Sequence, residues 1–203
     1  MKYLSLLISV IFLLTTFNAV HAQNAKVVRV IYDFTFQTDT THPESKIKDQ
    51  YALDIFDKHS KFVSLAKLKR DSYIDSMMKT VDRQGGMGNM RNVNINFSTL
   101  GINSRVESWE IYKTNNAKIN FQQRFMRSIY AYEEDMSNLA WQILDSAATY
   151  NKYECQLATV NYGGRNWYAL FTTEVPINNG PYKFMGLPGL IVKMWDNKNE
   201  WLY

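Results

Sequence analysis

The sequence predicts a mainly β protein of the α+β class, with a curved antiparallel sheet or partial barrel of about nine or ten strands and one helix packed against it. Segments in which apolar and polar residues alternate recur along most of the chain, and this period of two is typical of strands. Only one segment, at residues 71–81, has the helical period. Hydrophobic residues make up 46% of the chain and charged residues 21%, which indicates a folded globular domain.

Residues 1–22 have the pattern of a secretory signal peptide. Lys2 provides a positive start, residues 4–15 are apolar, and Val20-His21-Ala22 provides small residues at a cleavage position. The apolar run is shorter than the roughly 20 residues that a membrane span needs. We therefore expect an exported chain in the periplasm or at the outer membrane surface, mature from about Gln23, with no transmembrane span after signal cleavage.

Composition argues against several classes of function. The formal net charge is +4 and the basic residues are scattered, so there is no basic patch for a nucleic acid. Cys155 is the single cysteine, and we interpret it as a small buried apolar side chain. The chain has no zinc-type histidine spacing, no phosphate loop and no Gly-x-Ser-x-Gly motif. We predict no cofactor, no metal, no nucleic-acid partner and no identifiable catalytic residue.

The N-terminal half is predicted to form a meander and then the helix. Residues 26–37 alternate cleanly, Tyr51, Leu53 and Ile55 indicate a second strand, and residues 61–64 return after a turn. The helix over 71–81 would be capped by Asp71 or Ser72 and ended by Gly85-Gly86, before a long connection up to residue 104. Its apolar stripe consists of Ile74, Met77, Met78 and Val81.

Further strands are predicted at residues 106–112, 119–125 and 139–143. We interpret the acidic run Glu133-Glu134-Asp135 as a solvated turn, because it lacks the ligand spacing of a calcium loop. Residues 152–162 and 165–175 predict a hairpin closed by the two-residue turn Gly163-Gly164, with a register in which the numbers of paired residues sum to 327. Both faces of this hairpin are apolar, so each needs a cover from the helix, a second sheet layer or a ligand.

The stretch from Glu174 to Asp196 has the most restricted backbone. It contains three of the chain's four prolines and three of its nine glycines. Leu187 precedes Pro188 and is therefore extended, and Gly189 can adopt the positive φ of a type II turn. We expect a strand, a sharp corner, a second strand at 190–195 and a returning strand at 200–203. Because that final strand stops abruptly, we also expect the sequence to be C-terminally truncated.

The hexapeptide Gly-Leu-Pro-Gly-Leu-Ile at residues 186–191, preceded by residues 180–184, resembles the signature of the GLPGLI family of exported Bacteroidota proteins. Similar but weaker features at residues 153–155 and 164–167 extend the resemblance over residues 26–203. That family has no established biochemical activity. The resemblance therefore implies an exported protein with one β-rich domain, residues 23–203, and implies no reaction.

Two interpretations of the corner remain open. In the structural one, its glycines allow close backbone approach while Leu187, Leu190 and Ile191 fill the core. In the functional one, the corner lines a groove for a lipid, peptide or glycan, and Lys183 either faces that ligand or is solvated. The candidate binding residues are Tyr182, Lys183, Phe184, Gly186, Leu187, Pro188, Gly189 and Trp195.

Several functions are compatible with these observations. We predict an envelope-associated protein that is not an enzyme, either a binding or carrier protein or a structural one, with an apolar small molecule, a peptide or an envelope protein as its partner. The alternative is a hydrolase of cell-envelope polymers that uses carboxylates such as Glu174 or Asp196. Two such carboxylates would have to lie about 5–10 Å apart in one cleft.

Overall fold

One antiparallel sheet of eleven strands dominates the computed structural model, which describes residues 27–83 and 109–203. This confirms the predicted mainly β class with one helix; the strands are slightly more numerous than expected, and the sheet is not closed into a barrel. The elements are β1 (Val28–Gln37), β2 (Lys46–Ile55), β3 (His59–Ser64), α1 (Leu65–Arg83), β4 (Trp109–Thr114), β5 (Lys118–Phe125), β6 (Ser128–Asp135), β7 (Gln142–Tyr150), β8 (Tyr153–Tyr162), β9 (Arg165–Thr172), β10 (Leu190–Asp196) and β11 (Trp201–Leu202).

The strand order places the first and last strands side by side in the middle of the sheet. The order is β6-β5-β4-β3-β2-β1-β11-β10-β9-β8-β7. Strands β1 to β6 therefore form one meander, and β7 to β11 form another. The predicted final strand is present, but it is shorter than expected and lies between β1 and β10. Strands β6 and β7 are the two edges of the sheet.

The sheet curves strongly, because its two edges are joined by only six residues, 136–141. A flat sheet of eleven strands would separate its edges by about 48 Å. The link from Asp135 to Gln142 spans at most about 25 Å when fully extended. The curvature lets a side chain of one meander contact the other: the Tyr162 hydroxyl of β8 donates to Glu134 of β6 at 2.7 Å.

Helix α1 begins at Leu65, six residues before the expected start. The predicted caps were wrong, because the Ser64 Oγ accepts hydrogen bonds from the backbone nitrogens of Ala66 and Lys67 at 3.1 and 3.4 Å. Val81 is the one buried residue of the helix, which contacts mainly β2 and β3. Within the described ranges, no helix is sufficiently long and apolar for a membrane span. The predicted terminator, Gly85-Gly86, and residues 84–104 of the predicted connection lie outside those ranges.

The predicted acidic turn at residues 133–135 was wrong. These residues form the end of β6, which pairs with β5 along its whole length. The strand predicted at 139–143 is displaced to β7, and both edge strands are largely exposed. Alternation is a weak signal in such strands, because neither face has to be apolar.

The β8–β9 hairpin has the predicted register, in which Leu157 pairs with Leu170. Gly163 and Gly164 have φ values of 60° and 74°. Two successive positive φ values are the requirement of a type I′ turn, whose twist matches that of the flanking strands. Local sequence was therefore sufficient to define this part of the fold.

The segment between β9 and β10, residues 173–189, is called the β9–β10 connection below. The strand expected before the corner is absent, since the connection is irregular. The positive φ of 103° belongs to Gly186 and not to Gly189. Gly189 is needed for a different reason, because a Cβ atom there would overlap the carbonyl oxygen of Thr172. Leu187, Leu190 and Ile191 are buried, as the structural interpretation predicted.

Candidate functional site

The β9–β10 connection lies on the inner, core-forming face of the curved sheet. Phe184, near its middle, is fully buried. Its ring centroid lies 5.0–6.1 Å from those of four other aromatic side chains, Trp141, Tyr162, Trp167 and Tyr182. Such aromatic contacts stabilise a core beyond the area that they bury. The inner face of the β8–β9 hairpin is therefore covered by the β9–β10 connection. Helix α1 does not cover this face, because it contacts mainly β2 and β3.

Lys113 of β4 attaches the connection to the first meander, and this contact is called the Lys113 anchor. Its side chain is buried, and its Nζ donates to the Asn179 Oδ1 at 3.1 Å and to the carbonyl oxygens of Gly180 and Phe184 at 2.6 and 3.1 Å. Burial lowers the pKa of Lys113 well below its ordinary value. Three oxygen acceptors match the three N–H groups of an ammonium. Asn179 in turn donates to the Ser60 Oγ at 2.8 Å.

Lys183 attaches the connection to β6 and β8, and this contact is called the Lys183 anchor. Its Nζ lies 2.7 Å from Glu134 and donates to the Tyr162 hydroxyl at 2.9 Å. It also lies 5.0–5.5 Å from the ring centroids of Tyr132, Tyr162 and Tyr182. Burial alone would lower the pKa of Lys183, but hydrogen bonds with Glu134 and the tyrosines raise it above its ordinary value. Burial raises the pKa of Tyr162 to about 12.

The structure brings most of the sequence-predicted binding residues together, although as part of the core. Phe184, Leu187, Gly189 and Lys183 are buried, and Tyr182 is half-buried beside them. Gly186 and Pro188 are exposed. Lys183 is therefore not the solvated strand residue that the sequence suggested.

Trp195 is separated from these residues. It stacks on Tyr168 of β9 with ring centroids 5.7 Å apart. Its neighbour Met194 belongs to the core, and adjacent strand residues point to opposite faces. Trp195 is therefore on the outer face of the sheet, away from the other candidate residues.

The two carboxylates proposed for hydrolysis both have structural partners. Asp196 is buried, pairs with Arg165 at 2.6 Å, and accepts hydrogen bonds from the backbone nitrogens of Glu200 and Trp201. Glu174 accepts a hydrogen bond from a backbone nitrogen of β8 at 2.8 Å. In residues 27–83 and 109–203, no group of three or more metal-binding side chains is assembled. Cys155 is buried, and burial raises the pKa of its thiol.

A cleft of about 630 Å³ opens where the β9–β10 connection meets the turns of the first meander. The Lys113 anchor forms its inner end. The stacked rings of Phe56 and His59, with centroids 4.6 Å apart, lie on one wall. Asp57 is its one acidic residue. Its walls also include Asn115, Asn116, Met136, Ser137, Leu139, Asn178, Met185 and Gly186.

Sequence reasoning missed this cleft. Its walls come from four separate parts of the chain, the β2–β3 turn, the β4–β5 turn, residues 136–139 and the β9–β10 connection. The two turns and residues 136–139 have the composition of ordinary solvated segments, so only the β9–β10 connection attracted a functional interpretation. Only Gly186 of the cleft was among the predicted binding residues.

Part of the chain matches the model of a family of unknown function, and most of the chain resembles solved structures in its fold. Residues 108–193 match the model of a family described as "Protein of unknown function (Porph_ging)". The matched part contains the β8–β9 hairpin, the whole β9–β10 connection and the hexapeptide. No curated protein matches the chain.

Among solved structures, two crystal forms of PNGF-II, in space groups P21 and C2, are similar to the chain. Their TM-scores are 0.54 and 0.55, each at 8% sequence identity. The alignments cover 88% of this chain but only 27% and 26% of PNGF-II. The chain therefore spans about a quarter of the structures that it matches, and the similarity concerns the β-rich fold alone.

Proposed function

We propose that the protein is an exported, envelope-associated member of the GLPGLI family that binds a peptide segment and performs no catalysis. Family membership is supported by the hexapeptide at residues 186–191, because it lies inside the part that matches the family of unknown function. Export is supported by the signal-peptide pattern of residues 1–22. The observation that carries the binding function is the cleft beside the β9–β10 connection.

The cleft has the chemistry that suits a peptide. The amides of Asn115, Asn116 and Asn178 provide donors and acceptors together, which complements the alternating N–H and C=O groups of a backbone. Leu139 and Met185 provide apolar contacts for side chains. A ligand of this kind would be oriented by the amides and retained by the apolar walls.

A carrier of an apolar small molecule is less well supported. Such a carrier needs an open apolar interior. The inner face of this sheet is instead filled by the protein's own side chains, including Phe184, Leu187 and Ile191. The remaining cleft has many polar groups in its walls.

The hydrolase alternative lacks a carboxylate pair. Asp57 is the one acid in the walls of the cleft, and acid–base hydrolysis of a glycosidic bond uses two carboxylates about 5–10 Å apart. Asp196 is buried and already engaged by Arg165 and two backbone nitrogens. We therefore favour binding without catalysis.

The binding function is tested by selecting a displayed library of random peptides on purified protein. Ser137→Trp places a large ring in the cleft, while Asn197→Trp adds the same ring on an exposed turn elsewhere. We expect an enriched peptide family on the wild type and on Asn197→Trp, and at least tenfold weaker binding of those peptides to Ser137→Trp. Equal binding by all three proteins, or no enrichment on any of them, would contradict the proposal.

Export is tested separately by fractionating host cells and sequencing the N-terminus of the mature protein. We expect a chain that begins near Gln23 and is recovered with the envelope fraction. An intact N-terminus at Met1 on cytoplasmic protein would disprove this part of the proposal, whatever the peptide experiment gives.

A further inference from the structure

Exposed apolar side chains concentrate at the tip of the β5–β6 hairpin, residues 124–130, which is called the hairpin tip below. Met126 is 84% exposed, and Phe125, Ile129 and Tyr130 are 58–61% exposed. A soluble protein normally exposes such side chains singly, and a cluster of them indicates an interaction surface. The hairpin tip lies at one edge of the sheet, since among the described strands β6 pairs only with β5.

The hairpin tip is apolar on both of its faces. Phe125 pairs with Ser128 and Gln123 pairs with Tyr130, so Phe125 and Tyr130 lie on one face. Ile129 pairs with Arg124 and lies on the other face. Met126, with a φ of 53°, begins the turn between β5 and β6. A single protein surface would cover one face of such a projection, whereas a lipid layer surrounds both.

The charge of the hairpin tip is positive. Residues 124–130 contain Arg124 and Arg127 and no acidic residue. The walls of the groove of about 660 Å³ between α1 and the hairpin tip contain three basic residues, Lys67, Arg70 and Arg124, and two acidic residues, Asp71 and Asp75.

The acids of α1 beside this groove are already paired. Asp71 binds Lys67 at 2.6 Å, and Asp75 binds Lys79 at 2.7 Å. The groove walls keep a formal excess of one basic residue, and Arg127 of the turn adds another. The surface around the exposed apolar side chains therefore complements an anionic one.

We propose that the hairpin tip docks the protein onto an anionic phospholipid surface. Phe125 and Met126 enter the boundary between headgroups and acyl chains, Tyr130 lies at headgroup depth, and Arg127 contacts lipid phosphates. The biological role of this contact rests on the proposed envelope location, because an exported protein has such a surface within reach.

Sedimentation with vesicles tests the docking. Purified protein without residues 1–22 is mixed with vesicles of phosphatidylglycerol and phosphatidylethanolamine, and in parallel with vesicles of phosphatidylcholine. We expect binding to the anionic vesicles that falls at least tenfold in Phe125→Ser/Met126→Ser and about fivefold in Arg127→Gln. The matched control is Ile143→Ser/Leu144→Ser, which removes exposed apolar side chains from the opposite edge of the sheet and leaves binding unchanged.

Three results would overturn the inference. The first is wild-type protein that remains in the supernatant with anionic vesicles. The second is a control variant that loses as much binding as the hairpin-tip variant, and the third is a hairpin tip that forms a dimer interface. The last case is recognised by analytical ultracentrifugation, as a dimer of the wild type that dissociates in Phe125→Ser/Met126→Ser.

A fluorescent label gives a second readout that does not depend on the folding of the serine variants. Cys155 is buried, so an environment-sensitive dye attached to Met126→Cys reports on the hairpin tip alone. We expect its emission to shift to the blue on addition of anionic vesicles, with no shift for the same dye on Lys198→Cys. No shift at position 126 would contradict insertion.

These measurements use purified protein and defined vesicles, so they are independent of export and of the peptide experiment. Vesicle binding without export would leave the docking surface standing and remove the envelope function. Export without vesicle binding would do the reverse.

Discussion

The two anchors of the β9–β10 connection bury a lysine by different chemistry. At the Lys183 anchor, the ammonium has a carboxylate partner, Glu134, which is 32% exposed at its side chain. At the Lys113 anchor, the ammonium meets only neutral oxygens, from Asn179, Gly180 and Phe184. Water can therefore replace a lost contact at the Lys183 anchor. Gly180 and Phe184, which provide two of the acceptors of Lys113, are buried and do not line the cleft, so their carbonyl oxygens have no such substitute.

This difference indicates which end of the connection the fold depends on more strongly. A buried acceptor that loses its donor keeps the full cost of its desolvation. When Lys183 is removed, its partly exposed partner Glu134 can be hydrated, so the loss of stability is smaller than for a fully buried partner. We therefore expect the same substitution to have unequal effects at the two anchors.

The largest effect is expected for Lys113→Met. The methionine keeps the apolar stem, but it leaves the carbonyl oxygens of Gly180 and Phe184 without their donor. The free energy of unfolding should fall by about 3 kcal/mol, measured by chemical denaturation. A loss below about 1 kcal/mol would show that Lys113 is dispensable to the anchor.

Gly180→Ala should have the next largest effect, because it acts on the same anchor from the opposite side. A Cβ atom at this position would lie 2.7–3.0 Å from side-chain atoms of Ile191. We expect a destabilisation of about 2 kcal/mol. The double variant Gly180→Ala/Ile191→Val removes the nearest of these atoms, so it should be less destabilised than the two separate losses predict. Strict additivity would show that the contact with Ile191 is not the cause.

Lys183→Met should destabilise the protein by about 1 kcal/mol. Its stem stays among the tyrosine rings, while Glu134 becomes hydrated. Denaturation under the same conditions as for Lys113→Met gives the comparison directly. A loss equal to or greater than that of Lys113→Met would reverse the proposed ranking of the anchors.

The smallest effect is a difference in pH dependence. Because burial lowers the pKa of Lys113, its unfolded form binds the proton more tightly, so its contribution to stability should rise as the pH increases towards 10.5. The pKa of Lys183 is raised, so its contribution should be complete below 10.5 and decrease above that value. The measurement is the difference in unfolding free energy between the wild type and each methionine variant at several pH values. Slopes of the same sign would contradict the assignment.

The parts of the fold that the sequence predicted correctly are those set by local chemistry. Gly163-Gly164 forms a two-residue turn, and that turn alone fixes the register of β8 and β9. The turn predicted at residues 133–135 was wrong for the opposite reason. Glu134 pairs with Lys183, which is 49 residues away in the chain. When that partner is not known, three consecutive acidic residues are more typical of a solvated turn than of the end of a strand.

The candidate site was predictable only in part. Residues 186–191 correctly indicated the β9–β10 connection as part of the candidate site. Of these six residues, only Gly186 lines the cleft. The aromatic residues that had been expected to line a groove, Tyr182 and Phe184, pack in the core with Trp109 and Trp167. Apolar periodicity cannot distinguish a residue that lines a groove from one that fills it, because both face inward.

By itself, the sequence determined the mainly β class and the β8–β9 hairpin, since each follows from side-chain period and turn chemistry. The structure decided between the two interpretations of the corner by burying Leu187, Leu190 and Ile191. Only the tertiary structure decided that the β9–β10 connection is held by Lys113 and Lys183, and that a cleft lies beside it. The Lys113 contact joins residues 66 positions apart. Contacts of that range depend on the curvature of the whole sheet, which no local pattern encodes.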